Sequence, residues 1–263
     1  MQKLDDADVS IDVNGRVEPS PSLKALAHST SREYFRFTKS DVDLVAAHKL
    51  IAASFDNVLG KAQFKEKVEA LCEKARGLLK IKSSVPLVYA PFYLPKLEHE
   101  DIGTEVQKVY FPAIQKAYRS EFPDFDFTVE YKDSLKGKVQ SIAGLGHDRL
   151  ETTCRKSDVL GIVLFVLREY SVQAAREQMA TMPPEFSLTG ILDLSGSLIS
   201  RPGLMFNETQ YAPMVWSSGC QTTWEYANFH YEGYGYNLMF NRRVHHDLVA
   251  EYWAHGVSLF EPV

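Results

Sequence analysis

Phe125-Asp126-Phe127-Thr128-Val129-Glu130-Tyr131 sets aromatic and β-branched residues at 125, 127, 129 and 131, with polar residues between them. That period of two is the mark of a strand with one buried face. The turn residues Asp133-Ser134-Leu135-Lys136-Gly137 follow, then a second short strand from Val139 to Ala143, so the pair reads as a hairpin. On either side of it, Val85 to Tyr93, Leu160 to Arg168 and Leu188 to Leu194 read as further strands. Helical spacing marks the segments between them. Strands in adjacent hairpins interleaved with helices predict an α+β fold, a mixed or mainly antiparallel sheet with helices packed largely on one face.

Upstream, Ser40 reads as the cap of a helix running through Val45, Leu50 and Ile51 to Gly60, and Gln63 to Leu79 as a second helix, together an α-hairpin. A helix from Gly103 to Glu121 carries Pro112, which predicts a kink or a division into two segments. Ser171 caps a short helix to Thr181. Residues 196–221 read as a long irregular loop, Thr223 to Phe240 as an aromatic strand or hairpin, and Arg243 to Ala254 as a closing helix. Residues 1–33, polar with Pro19 and Pro21, read as a mobile arm, leaving 34–263 as a single α+β domain.

Composition narrows the function. The net charge of −5 carries no basic field, and the basic stretch from Lys61 to Lys82 is interleaved with Glu66, Glu69 and Glu73, so nucleic acid is not an expected partner. The longest apolar run, Ile162 to Leu167, is too short for a bilayer, so no membrane is expected. Cys72, Cys154 and Cys220 are scattered without CxxC spacing, which predicts neither zinc nor disulfides and fits a cytoplasmic protein. The expected partner is a small-molecule ligand, a homo-oligomer is compatible with the sequence, and no cofactor is specified.

Chemistry concentrates in Trp224-Glu-Tyr-Ala-Asn-Phe-His-Tyr-Glu-Gly-Tyr-Gly-Tyr-Asn-Leu-Met-Phe240. On one continuous strand Trp224, Tyr226, Asn228, His230, Glu232, Tyr234 and Tyr236 share a face, giving aromatic walls around a few polar groups, as in a ligand pocket. Those aromatics would equally pack a plain hairpin on a helix layer. His230 is the candidate acid/base, with Glu232 beside it, and Arg242 or Arg243 would hold an anionic group. His245 or His246 joining His230 and Glu232 would make a two-histidine, one-carboxylate set of the kind that holds non-haem iron. Cys220 reads as a half-buried thiol, and Gly144-Leu-Gly-His-Asp-Arg149 as a turn rather than a phosphate cradle. Pro91 to Pro95 reads as a lid or a surface loop.

Phe206-Asn-Glu-Thr-Gln-Tyr211, Ser217-Ser218 and Gly233-Tyr-Gly-Tyr-Asn237 loosely resemble the closing part of the carnitine/choline acyltransferases, over about a fifth of the chain. The spacings differ, and the nearest string to that family's catalytic histidine motif, His245-His246-Asp247, lacks its glycine, so no residue role is carried over. The resemblance implies only acyl transfer as the group-transfer chemistry to consider. The expectation is a small-molecule enzyme using His230 and Glu232, against a non-catalytic ligand-binding or protein-interaction module and a metalloenzyme.

Overall fold

The computed structural model describes residues 9–31, 37, 41–206, 212–234, 236–244 and 247–263. Ten strands and seven α-helices among them make the α+β fold expected from the sequence. Seven strands form one mixed, mostly antiparallel sheet in the order β1 (Tyr89–Leu94), β4 (Val159–Arg168), β10 (Trp253–Pro262), β6 (Met214–Trp216), β8 (Ala227–Tyr234), β9 (Asn237–Val244), β2 (Phe127–Val129). The two-residue β5 (Ser187–Leu188) pairs with β10 off this path, and β3 (Val139–Ser141) pairs with β7 (Cys220–Thr222) in a separate ribbon.

The founding alternation therefore gives two strands that do not pair with each other. β2 runs parallel to β9, from Phe127↔Leu238 to Val129↔Phe240, while β3 joins β7. Leu135, fully buried in the intervening turn, draws that turn into the core, and its carbonyl lies against Gly103, where a Cβ would come within 2.1 Å.

The central strand β4 is buried on both faces and divides two cores. Val159, Val163 and Phe165 face α3 (Ile102–Glu105), α4 (Phe111–Glu121) and α7 (Ile191–Ser200). Leu160, Ile162, Leu164 and Val166 face α2 (Lys61–Leu78) and α6 (Val172–Gln178). α1 (Leu44–Ser54) lies beside α2 and is capped by Asp43, whose carboxylate accepts from Val45 N and Ala46 N; Ser40 lies outside the described residues. The arm expected at residues 1–33 has its described part laid along β4. Val17 N donates to Val166 O, and the buried Arg16 donates to the carbonyls of Arg168 and His28.

Of the two outcomes expected at Pro112, a kink or a division into two segments, the structure shows the division. Pro112 sits in the first turn of α4, directly after a π-turn over Val106–Tyr110 that separates α3 from α4. A proline ring clashes with the carbonyl four residues back and offers no N–H, and the wider π-turn absorbs both defects.

Four expectations fail here. Leu188 to Leu194 is not a strand, because from Ile191 onward it is the helix α7. All ten residues of α7 are buried, so no polar face marks a period of 3.6. Its serines bond inward: Ser195 to Ile191 O and Tyr231 Oη, Ser197 to Leu194 O and Ser200 to Pro91 O. Among its described residues the 196–221 stretch accordingly holds the end of α7, a 3-10 turn at Pro202–Met205, the strand β6 and the start of β7 rather than one long loop. Arg243 to Ala254 is not a helix either, since β9 runs through Val244 and β10 begins at Trp253. Pro91 to Pro95 is no lid, because Pro91 lies inside the edge strand β1, where a missing N–H is tolerated.

Both edges of the sheet are blunted against further pairing. On β1, Arg201 donates to Tyr89 O and Ser200 to Pro91 O. On β2, Phe127 N is taken by the Asp126 carboxylate, and Lys132 Nζ donates to Val129 O. No helix among the described residues is long and apolar enough to cross a membrane.

Candidate functional site

The Trp224–Phe240 segment folds as the β8–β9 hairpin turning through Tyr236, paired from Ala227↔Val244 to Tyr234↔Asn237. Within β8, Asn228, His230 and Glu232 share the face opposite Phe229 and Tyr231, which enter the α4–α7 core. The other candidates are dispersed. Trp224 precedes the strand and packs edge-on to Tyr131 and Phe229, with Arg242 over its ring at 4.5 Å and Lys138 at 5.4 Å. Tyr226 is 58% exposed at φ +58. Tyr236 sits in the turn at φ +67, against Phe125 and Phe206. The Tyr234 side chain, His245 and His246 lie outside the described residues.

Asn228 is structural. Its Nδ2 donates to Ser217 O and Cys220 O, and its Oδ1 accepts from Phe229 N, which ties the Ser217–Cys220 bend to β8.

His230 is different. It is 1% exposed, and neither ring nitrogen has a hydrogen-bond partner among the described residues. Nε2 lies 3.3 Å from Glu232 Oε1, within ion-pair distance. Its ring is 5.0 Å from that of Trp216 on β6, and Trp216 is 4.8 Å and edge-on from Trp253 on β10. Both indole N–H groups are also buried without an acceptor among the described residues. Met214 and Val172 complete this aromatic niche on the sheet's second face, and Ala250 and Tyr252 of the β9–β10 connection cover it. Arg243 donates to the Tyr252 hydroxyl at its rim.

Burial draws the His230 imidazole below the usual histidine pKa against the opposing pull of Glu232, so the ring is neutral at neutral pH. Glu232 is held below the usual carboxylate range by His230, with Arg243 adding to the effect, and stays ionised. His230, Glu232 and Arg243 stand out in the sequence as polar groups of this segment, whereas Trp216, Trp253 and Tyr252, which the fold brings beside them, do not. The alternation of Trp253, His255, Val257 and Leu259 was the available signal for the strand that carries Trp253.

A second polar cluster lies at the N-terminus of α7. His147, at the start of α5 (His147–Cys154), has Nδ1 2.8 Å from Ser141 Oγ and 3.5 Å from Cys220 Sγ; its Nε2 is 3.9 Å from Asp193 Oδ1. It has the residue types of a nucleophilic triad but not the chemistry. Burial lifts the Cys220 thiol far above its ordinary value and pulls His147 down to about 4, so a thiol faces a neutral ring. Cys220 is fully buried rather than half-buried. The glycine bend before His147 is no phosphate cradle, because Gly144 N and Gly146 N already donate to the Asp148 carboxylate. The cluster locks α5, α7 and β7 together.

Among the described residues no three histidine, cysteine, aspartate or glutamate side chains gather as a metal site would require. Compared with known protein families, curated proteins and solved structures, the chain matches none.

Proposed function

We propose that the chain binds a small organic ligand in the niche behind β8 and that the His230–Glu232 pair handles a proton there. One observation carries this reading: an enclosed, neutral His230 whose Nε2 meets only Glu232 and whose Nδ1 has no partner among the described residues, in contact with the buried indole of Trp216, which packs in turn on that of Trp253, neither indole N–H having an acceptor among those residues. Leaving a buried polar group unsatisfied costs about 1–3 kcal/mol. An edge-on pair of indoles can aim at most one N–H at its partner's ring, so several such penalties fall in one place. Natural cores carry few of them, and a cluster is accounted for by a partner that arrives in the working state.

Chemically, a neutral imidazole backed by a carboxylate accepts a proton and stabilises the cation that results. No serine, threonine or cysteine is hydrogen-bonded to His230 among the described residues, so proton transfer is favoured over acyl transfer through a covalent intermediate. The three free cysteines suit a cytoplasmic setting.

The test is a fragment panel followed by thermal shift and by the His230 ring resonances in NMR. Compounds that raise the melting temperature should move the His230 signals, and His230→Ala should abolish both responses while its far-UV spectrum is unchanged. A panel in which no compound moves those signals overturns the reading.

A further inference from the structure

We infer that the ligand of this niche is a neutral, planar carbonyl compound of the primary carboxamide class, its oxygen on the indole N–H groups of Trp216 and Trp253 and its N–H on His230 Nδ1. The inference rests on the niche being a ligand site, and it derives the ligand from the donors and acceptors left over. An indole N–H only donates; a neutral imidazole donates from one nitrogen and accepts at the other. Glu232 Oε1, 3.3 Å from Nε2, favours the proton on that nitrogen, which leaves Nδ1 as a buried lone pair without a donor. The unmet demand is therefore an acceptor for the indoles and a donor for Nδ1; the Trp216 ring touches both His230 and Trp253, at 5.0 and 4.8 Å between centres, so a ligand enters by parting these rings. A carboxamide carries both on one carbon.

Charged alternatives fit less well. A carboxylate would meet the ionised Glu232 beside buried rings and would offer Nδ1 no hydrogen. An ammonium would find a hydrogen-bond acceptor at Nδ1 but would leave both indoles unmet. The walls are flat aromatic rings, Trp216, Trp253 and the His230 imidazole, which favour a planar group over a tetrahedral one. Access requires the Asp247–Tyr252 connection to move, since Trp216 and Trp253 are 0% and 4% exposed beneath it.

The experiment uses benzamide, benzoate and benzylamine as probes of one ring size, followed through the indole N–H resonances of the full chain labelled with nitrogen-15. The chain has three tryptophans, and Trp224, outside the niche, is the internal control. Benzamide should shift the Trp216 and Trp253 signals and leave Trp224 in place, with affinity at least tenfold above benzoate and benzylamine. In Glu232→Gln the preference over benzoate should shrink, because the repelling charge is gone. Benzoate or benzylamine equalling benzamide overturns the carboxamide assignment while the niche stands as a ligand site. No response at Trp216 or Trp253 to any of the three, with other fragments moving His230, overturns the assignment in the same way. Silence from every compound, the wider panel included, overturns the niche itself.

Discussion

Asp193 Oδ1 lies 3.9 Å from His147 Nε2 in a core where both side chains are fully buried. The carboxylate oxygens take hydrogen bonds from Gly190 N, Leu194 N and Ser258 Oγ, yet burial still raises the Asp193 pKa from 3.8 to about 7. The folded state thus holds this proton more tightly than the unfolded chain. Its contribution is complete below about pH 3.8 and is lost as pH rises toward 7. His147 and His255, pulled by burial to about 4, act in the opposite sense: their contribution is present above 6.5 and lost as pH falls toward 4. Asp193→Asn removes only the first dependence. Urea unfolding should show the variant gaining about 2–3 kcal/mol relative to the parent between pH 5 and pH 8. A difference that stays flat over that range means that Asp193 is ionised in the fold as well.

Gly190 is fixed by what surrounds it. A Cβ there would lie 2.3 Å from His147 Cδ2 and 2.6 Å from Cys220 Sγ, both on buried side chains with nowhere to go. Gly190→Ala should lose about 3 kcal/mol by overpacking, at the upper end for such changes. Gly77, in α2 with open space around it, is the contrast. Gly77→Ala should gain about 0.5–1 kcal/mol from helix propensity. Equal effects of the two changes in chemical denaturation would refute the packing argument.

The thiols give an independent reading of the His147 cluster. Burial raises Cys154 and Cys220 far out of the reactive range and the half-buried Cys72 to about 11. Iodoacetamide at pH 8 should leave Cys154 and Cys220 unmodified in the native protein and alkylate all three in denaturant, as read by peptide mass spectrometry. Rapid native labelling of Cys220 would return it to candidacy as a nucleophile beside His147.

How much was legible follows from which residues carry a periodic signal. The strands β1, β2 and β4 and the helix α2 bury one face or form a compact apolar run, and their sequences say so. α7 is enclosed on every side, so Ile191-Leu-Asp-Leu-Ser-Gly-Ser-Leu-Ile-Ser200 shows no polar stripe, and its serines look like loop residues until their inward bonds are seen. The pairing of His147 with Cys220, 73 residues apart, has no local signature at all. For the niche, the alternation that placed Asn228, His230 and Glu232 on one face held within β8 and failed beyond it. Trp224 precedes the strand, and Tyr236 lies in the turn. The remaining walls come from β6 and β10, and only the sheet order brings those strands to β8.

That sheet order makes the two indoles testable by stability as well as by binding. Trp216→Phe and Trp253→Phe each remove a ring of contact area and, with it, an N–H that has no acceptor among the described residues. Lost packing on this scale costs about 1–3 kcal/mol, and relief of an unsatisfied donor returns about as much. Each variant without ligand should therefore fall less than about 1.5 kcal/mol below the parent, where truncation of a large aromatic to alanine costs about 3–5 kcal/mol. The same variants should lose the benzamide response, because the group that is dispensable for folding is the one that meets the ligand. A loss near 4 kcal/mol for either phenylalanine variant would show that the indole N–H is well satisfied in the fold, and the niche would then have no unmet donor to offer.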